Sequence, residues 1–519
     1  MRDWRPWLAL AVLNVGLLLP RSVSGELAPW LALGLCGDLM IVAGLLTWIR
    51  RPAMAAGVWT LLLVYELDRF VGHWLMGQDP LLFDQVLLLR HLVVLARDLM
   101  GVWGVLALVG VVVVVVLLGL GAWALFRVGQ RASGLRWALF ASPLVLLLEM
   151  PSGPWPGRFV TPDLVYDVAH SVRVYRGLQE QLGALHPELE ELQLRSKPDV
   201  EVHVVESYGR MMESEELREG WVQALVGLEA RLGQAGWTTM SAFSTSPVSG
   251  GRSWIADASL LLGLQLQHQS EYERVIEQIE GLPHMPGWFA ERGYSTVVMR
   301  PKDRVRPGVG LRNDFGWQHT VFFEDLDYSG AAWGWGVVPD QYSLGWLREE
   351  LWSQLPGPRL LFFHMVGSHA PWNDVPPVLE QWRDFDDGSA EAPEDEELSL
   401  KRVSRRYKRE KRTRAGAIGK LALRGEDFRA AVLTDLELLT RDLEQPRQRP
   451  AVVLILGDHQ PPLLSRSQDF DVVVHVLATD PSLIEGFAEQ GFQPGLLPSG
   501  EPVVPLEGLY PLLATSLSH

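Results

Sequence analysis

Residues 101–126 form an uncharged, almost wholly apolar run between Asp98 and Arg127. A helix over this run would be roughly 39 Å long, which is enough to cross the hydrocarbon core of a bilayer. Four further apolar segments share the first 150 residues with it: 7–20, 27–49, 53–65 and 137–148. The sequence therefore predicts an N-terminal α-helical transmembrane bundle of about five helices over residues 1–150.

The start of the chain has two interpretations. Arg2 and Arg5, an apolar stretch and Ser22–Ser24 fit a cleaved signal peptide, but further apolar spans follow at once, and we favour a retained helix. With five spans, one side of the membrane collects most of the loop arginines and is predicted to be cytoplasmic: Arg2, Arg5, Arg50, Arg51, Arg127, Arg131 and Arg136. The chain is then a multi-pass protein of a bacterial-type inner membrane, with everything after residue 150 on the extracytoplasmic, periplasmic side.

Composition removes several classes of protein. The 519 residues carry a formal net charge of −16, whereas a nucleic-acid binder is expected to be basic, so no nucleic-acid partner is predicted. Cys36 is the single cysteine, which excludes an intrachain disulfide and a cysteine-based metal site. Residues 79–97 are amphipathic and fit either an interfacial helix without chemistry or a platform for lipid headgroups.

The composition of the chain changes after residue 150. Prolines 151, 154 and 156 open a connector, residues 151–197, that includes mostly polar helix. In residues 198–519, largely apolar segments such as 199–205, 359–366 and 451–456 alternate with segments of helical periodicity. This alternation predicts an α/β domain with a doubly wound, mostly parallel sheet.

Ligands of such sheets collect at the carboxyl ends of the strands. Glu206 and the pair Asp458-His459 follow two predicted strands, and Ser253 begins a predicted helix after Gly250-Gly251-Arg252. Carboxylate, imidazole and hydroxyl ligands suit Zn²⁺ or Mn²⁺. A serine beside such a metal is a candidate nucleophile, although each residue alone could be a cap or an ordinary loop residue.

Five motifs occur in an order that resembles a known family: Val205–Gly209, Ser249–Trp254, Gly334–Asp340, Ser368–Pro371 and Gly457–Pro462. The set resembles the sulfatase-like branch of the alkaline phosphatase superfamily. Its most similar members are the membrane-bound lipoteichoic acid synthases and lipid A phosphoethanolamine transferases. The resemblance implies an alkaline-phosphatase-like catalytic domain behind about five membrane helices.

The resemblance also implies roles for individual residues. Glu206, Ser253, Asp458 and His459 would bind one divalent metal, Zn²⁺ or Mn²⁺, with Ser253 as the catalytic nucleophile. Substrate contacts are implied for six residues: His369, His475, Arg252, Trp335, Asp340 and Arg312. The transferases usually have threonine where this chain has Ser253, and the serine keeps the hydroxyl.

The activity implied is a metal-dependent phosphotransferase. It would move a phosphoglycerol- or phosphoethanolamine-type headgroup from a membrane phospholipid to a glycan, lipid or polymer hydroxyl of the cell envelope through a covalent Ser253 intermediate. A hydrolase using water at the same site, either a phosphodiesterase or a sulfuric ester hydrolase, is the alternative. A catalytically inactive membrane scaffold is the second alternative. A formylglycine sulfatase is not expected, because Ser246-Pro247 lacks the required signature and Cys36 lies in an apolar run.

Residues 381–416 hold an acidic block followed by a basic block. Adjacent blocks of opposite charge favour a solvated loop that pairs with itself, and the alternative is a basic arm that contacts anionic lipid or glycan.

Overall fold

The computed structural model describes residues 4–24, 35–76, 102–131, 157–158, 160–183, 185–304, 314–333, 338–370, 372, 375–386, 416–462 and 470–518. The chain divides into two compact units, Met1–Gly177 and Leu178–His519. Each unit is described by itself below.

The first unit is helical. Its helices are α1 (Arg5–Ser24), α2 (Gly37–Ile49), α3 (Pro52–Met76), α4 (Val102–Gly129) and α5 (Thr161–Leu182), and α5 contains the point where the two units divide. Leucines, alanines and Trp59 form a buried core between the first four helices.

Among the described residues, one segment, Val105–Gly129 within α4, is long and apolar enough to cross a membrane. The predicted number of five spans is therefore not confirmed. The predicted spans at 7–20, 27–49 and 53–65 coincide largely with α1, α2 and α3, but α2 has only 13 residues, too few to cross a bilayer as a straight helix. The predicted span at 137–148 and the amphipathic stretch at 79–97 lie outside the described residues.

The second unit is an α/β domain. Its strands are β1 (Asp199–Val205), β2 (Thr238–Thr245), β3 (Ser295–Arg300), β4 (His319–Phe322), β5 (Arg359–His364), β6 (Ala451–Gly457), β7 (Asp471–Ala478), β8 (Gln493–Pro494) and β9 (Val504–Pro505). Its helices are α6 (Arg218–Gln234), α7 (Ser253–Leu262), α8 (Gln269–Ile276), α9 (Met285–Glu291), α10 (Asp340–Trp346), α11 (Gly416–Leu443), α12 (Glu485–Glu489) and α13 (Leu509–Ser516).

These strands of the second unit form one sheet in the order β8-β2-β7-β6-β1-β5-β3-β4, with β9 paired to β2. Strands β6, β1, β5, β3 and β4 are parallel, as predicted. The sheet as a whole is mixed, because β7 is antiparallel to both β6 and β2, and β8 is antiparallel to β2. Residues 458–462 leave β6 as a loop rather than a crossover helix, and β7 then returns antiparallel.

Alternate side chains of each strand enter two cores, one on each face of the sheet. Val200, Val202 and Val204 of β1 belong to the first core, with α7, α9 and α13. Leu361 and Phe363 of β5 belong to the second core, with α6 and α11. Helices on both faces leave the strand ends as the place where polar groups can meet.

Candidate metal centre and active site

Adjacent parallel strands bring the two predicted carboxylates together. In the sheet register, Val205 at the end of β1 lies opposite Gly457 at the end of β6. Glu206 and Asp458 are the next residues along each strand, and both are almost fully buried. A side chain at position 457 would overlap the carbonyl oxygen of Tyr208, so glycine allows this close approach of the two strand ends.

Ser253 reaches the same place from a different element. It is the first residue of α7 and follows Arg252, which has a left-handed backbone with φ of 68°. The preceding loop is held against the Asp458 loop, because the backbone N–H of Gly250 donates to the carbonyl oxygen of Gln460 at 3.1 Å. The hydroxyl of Ser246 also donates to the carbonyl oxygen of Asp458 at 2.5 Å. These bonds place the Ser253 side chain over the strand ends.

The four predicted metal ligands converge. Ligand atoms of Glu206, Asp458 and His459 all lie within 4.8 Å of one another. The Oγ atom of Ser253 is 3.3 Å from Oε2 of Glu206 and 3.3 Å from Nε2 of His459.

The residues present fit a divalent cation on three observations. Asp458 Oδ1 accepts hydrogen bonds from the backbone N–H groups of Ser207 and His459, while Oδ2 is buried and accepts none from the described residues. The Nδ1 of His459 lies 2.8 Å from the carbonyl oxygen of Gln460 and donates to it, so Nε2 is the ring nitrogen that faces the carboxylates. Burial lowers the pKa of His459, the carboxylates of Asp458 and Glu206 raise it, and the net result is a pKa of about 9. A site that draws a proton so strongly into a cluster of carboxylates also favours a metal cation.

A second histidine, which the sequence analysis did not select, borders the cluster. His364 at the end of β5 is fully buried, with Nδ1 2.9 Å from Asp257 and Nε2 3.2 Å from Glu206. Burial lowers its pKa, the charge of Asp257 raises it, and the net result is a pKa of about 9. Lys302 adds a further positive charge, with Nζ 3.5 Å from Oε2 of Glu206.

The sequence analysis did not select Asp257, Lys302 or His364, although each has a weak signal in the sequence. Asp257 lies four residues after Ser253, which places both side chains on one face of a helix. Lys302 follows a predicted strand, where the strand-end rule applies. His364 interrupts the predicted apolar strand 359–366 and is the last residue of the observed strand Arg359–His364.

The remaining predicted substrate residues divide into two groups, and their contacts with substrate stay predictions. His369 lies near the cluster: burial lowers its pKa, and the negative charge of Glu206 acts against this. Its Nδ1 lies 2.6 Å from the carbonyl oxygen of Ala370, and donation there leaves Nε2 as the unprotonated nitrogen. Arg252 donates to the carbonyl oxygen of Gln267 at 3.4 Å.

The other predicted residues lie inside the fold or outside the described part. His475 lies within β7, where its ring nitrogens meet the hydroxyls of Tyr208 at 3.0 Å and Ser241 at 2.7 Å. Burial lowers its pKa to about 3, so its ring is neutral. Asp340 accepts backbone hydrogen bonds from Val366 and Gly367. Trp335, Arg312 and most of the 381–416 insert lie outside the described residues.

Comparison with solved structures identifies the fold. The integral membrane lipooligosaccharide phosphoethanolamine transferase A (EptA) from Neisseria meningitidis matches over 99% of this chain and 95% of its own, with 12% identity and a TM-score of 0.52. This chain shares the fold of that transferase. The predicted layout, a helical region followed by an α/β domain, is thereby confirmed at the level of the fold.

Two further solved structures align with part of the chain. The lipoteichoic acid synthase LtaP from Listeria monocytogenes is 15% identical, with 56% of this chain and 69% of that one covered and a TM-score of 0.34. The phosphoglycerol transferase GacH from Streptococcus pyogenes, in complex with sn-glycerol-1-phosphate, is 11% identical, with 59% and 74% covered and a TM-score of 0.36. No family model and no curated protein sequence matches the chain.

Proposed function

We propose that this chain is a membrane-anchored, metal-dependent phosphotransferase that moves a phospho-headgroup from a membrane phospholipid to an envelope acceptor. The observation that carries the proposal is the position of the Ser253 hydroxyl, 3.3 Å from both Glu206 and His459 at a buried carboxylate and imidazole cluster. A nucleophile held against a metal-ligand set is the arrangement that phosphoryl transfer to a side chain needs.

Glu206, Asp458, His459 and Ser253 would hold the metal. Zn²⁺ or Mn²⁺ fits this oxygen and nitrogen donor set, and when bound it would lower the pKa of the serine hydroxyl and polarise a phosphoryl oxygen.

The chain's own residues then account for a two-step transfer. Ser253 Oγ forms a bond to phosphorus, the bond from phosphorus to the diacylglycerol oxygen breaks, and the serine proton leaves with the diacylglycerol hydroxyl. The acceptor hydroxyl next attacks phosphorus, the Ser253 ester bond breaks, and the acceptor's proton returns to Ser253. Lys302 places a positive charge near the cluster that can neutralise charge on the phosphoryl oxygens, and His369 can do so when its ring carries a proton on both nitrogens.

A bilayer location agrees with this chemistry. Val105–Gly129 is long and apolar enough to span a membrane, and an anchor in the bilayer keeps the site close to a lipid donor. We propose residues 1–150 as the membrane part, 151–197 as the connector and 198–519 as the catalytic domain. We also propose that the catalytic domain lies on the extracytoplasmic side of a bacterial-type inner membrane, and that the acceptor is a glycan, lipid or polymer hydroxyl.

The test is the intact mass of the full-length protein in detergent after incubation with Mn²⁺ or Zn²⁺ and mixed micelles of phosphatidylethanolamine and phosphatidylglycerol. We expect an added mass of phosphoethanolamine or phosphoglycerol on the wild type and none on Ser253→Ala. Ser253→Thr keeps a hydroxyl and should keep the adduct, and Ser259→Ala, on the same helix, should also keep it.

Each outcome separates the candidates. An adduct on wild type alone supports the covalent transferase, and its mass identifies the headgroup. Free headgroup released without acceptor and without an adduct supports the hydrolase. Absence of adduct, of hydrolysis and of bound metal contradicts a catalytic function.

A further inference from the structure

Two buried carboxyl groups lie beneath the segment that carries His369. Asp340 is the first residue of α10 and Asp435 lies on α11, and each is about 1% exposed. Both meet at Gly367: a side chain at that position would overlap Oδ1 of Asp435 and come within 2.9 Å of Oδ2 of Asp340. The two carboxyl groups therefore contact the same Cα atom, two residues before His369.

The hydrogen bonds of the two groups differ. Asp340 accepts from the backbone N–H of Val366 at 2.9 and 3.1 Å and from the backbone N–H of Gly367 at 2.5 Å. Asp435 faces the backbone N–H of Ser368, but its Oδ2 atom accepts no hydrogen bond from the described residues. Asp340 thus accepts hydrogen bonds from two backbone N–H groups, whereas Asp435 meets one, that of Ser368.

Two adjacent anions are unstable at this depth. No lysine or arginine among the described residues forms an ion pair with either carboxyl group, and burial penalises both charges. Burial, followed by the negative charge of Asp340, raises the pKa of Asp435 well above its usual range. Burial raises the pKa of Asp340 to about 6, while the backbone N–H groups of Gly367 and Val366 and the positive charges of His364 and Lys302 act against this rise. The proton of the pair therefore resides on Asp435.

We propose that Asp340 and Asp435 form a carboxyl pair that shares one proton and positions residues 366–369, and with them His369, at the active site. Asp435 donates through its O–H to Asp340, and Asp340 in turn binds the backbone of Val366 and Gly367. Both are positioning residues, since neither contacts the metal ligands. The part of this proposal that concerns His369 and substrate rests on the proposed function, whereas the shared proton does not.

Asparagine substitutions distinguish the two members. Asp435→Asn mimics a protonated carboxyl, because its amide can donate to Asp340 while its oxygen accepts from Ser368. Asp340→Asn turns an amide toward two backbone N–H groups and loses acceptors. Asp442→Asn is the matched control, since Asp442 is a buried carboxylate of the same helix that is paired with Arg348 and Arg447.

The first measurement is the infrared spectrum of the full-length protein in detergent at neutral pH. We expect a carbonyl band of a protonated carboxylic acid that is absent in Asp435→Asn and present in Asp442→Asn. The absence of such a band in wild type, or its persistence in Asp435→Asn, overturns the shared proton. This result does not depend on turnover.

The second measurement is the rate of diacylglycerol release from micelles of fluorescent phosphatidylethanolamine and phosphatidylglycerol with Mn²⁺ as a function of pH. Wild type should lose activity as pH rises through the raised pKa of Asp435, and Asp435→Asn should keep the wild-type rate without that loss. Asp340→Asn should lower kcat by about 100-fold, as a displaced active-site group does. An equal loss in Asp435→Asn, with the protein folded, overturns the positioning role.

A third measurement tests the carboxyl pair even when the wild type has no transferase activity or when Asp340→Asn does not fold. If wild type shows no turnover, the thermal unfolding midpoint is followed against pH. The wild-type midpoint should fall as pH rises from the unfolded carboxyl pKa of about 4 through the raised pKa of Asp435, more steeply than the midpoint of Asp435→Asn. If the unfolding midpoints of the two proteins depend equally on pH, the carboxyl pair is overturned. If they differ and the wild type shows no turnover, only the proposed transferase function is rejected.

Discussion

Nδ1 of His364 lies 2.9 Å from the carboxylate of Asp257, and both side chains are buried. The opposite ring nitrogen faces Glu206 at 3.2 Å, so Asp257 orients His364 and His364 orients a candidate metal ligand. A carboxylate behind a histidine at a metal site has this role in many enzymes.

Asp257→Asn should therefore lower turnover of the phospholipid substrate about 10- to 100-fold, the effect typical of outer-shell partners. The substitution removes the charge that raises the pKa of His364 while leaving the size of the side chain unchanged. Steady-state rates on full-length protein check it, with Glu277→Gln, an exposed carboxylate, as the control. Equal rates for the two variants would contradict the relay from Asp257 to Glu206.

Metal removal should lower thermal stability. A ligand present at 100 times its Kd adds about 2.7 kcal/mol to the folded state, so added Zn²⁺ or Mn²⁺ should raise the unfolding midpoint and a chelator should reverse this rise. Glu206→Gln and Asp458→Asn should abolish the metal-dependent shift, because each removes a charged ligand from the cluster. A full shift in both variants would place the metal elsewhere.

An ionic network of Glu201, Asp442, Arg348 and Arg447 should contribute much of the stability of the second unit. Glu201 is paired with Arg348 at 2.5 Å and Arg447 at 3.4 Å, and Asp442 is paired with the same two arginines at 2.7 Å each. Arg348→Met leaves two buried carboxylates short of positive charge and should cost about 3–5 kcal/mol. Arg383→Met removes an exposed arginine paired with Glu349 and is expected to change the unfolding midpoint little. Similar midpoints for both variants would show that the network is not stabilising.

The same network sets an expected acid limit of stability. Burial opposes the charges of Glu201 and Asp442, but the arginines outweigh it and hold the pKa of each carboxyl below its usual value. A lowered folded-state pKa means that the stabilisation is present above about pH 4 to 5 and is lost as pH falls through the folded values. Unfolding midpoints measured from neutral to acid pH should fall steeply in wild type and less in Arg348→Met. Parallel curves would assign the acid limit to other groups.

Gly457→Ala tests the close approach that joins the two carboxylates. Its methyl group would overlap the carbonyl oxygen of Tyr208, so we expect a loss of about 1–3 kcal/mol, as for other overpacked sites, together with weaker metal binding. Gly227→Ala is the matched control: position 227 lies within α6 with no atom within 4 Å of an added Cβ, and alanine there should stabilise by about 0.5–1 kcal/mol. Wild-type metal affinity in Gly457→Ala would show that the strand ends can separate without consequence.

The candidate metal ligands could be found from the sequence because each follows a local signal. Glu206 and Asp458 come directly after apolar β-branched strands, and parallel strands place their carboxyl ends at one edge of a sheet. Ser253 begins a helix after a pair of glycines, which identifies it as a residue at a loop-to-helix junction. The structure brings these residues together with His459 in one cluster.

The supporting residues could not be found in the same way. His364 is a single polar residue in an apolar strand, and nothing in its neighbours along the chain shows that Asp257 and Glu206 flank it. The sequence analysis did not predict strand β2, because Thr238–Thr245 is rich in hydroxyl side chains and lacks the apolar alternation typical of a strand. Strand β2 pairs antiparallel with β7, which makes the sheet mixed, and this pairing joins residues that are far apart in the chain.

The sequence by itself determined the apolar N-terminal segments, the α/β domain with its parallel strands, and the residue types of a candidate metal-binding site with a serine beside it. These features depend on hydrophobic periodicity and strand-end position, which are local properties of the chain. Only the tertiary structure decided the direction of β7, the Asp257–His364–Glu206 contacts and the pairing of Asp340 with Asp435. Each of these joins residues far apart in the chain, and their protonation and hydrogen bonds depend on burial and on neighbouring charges that exist only in the folded protein.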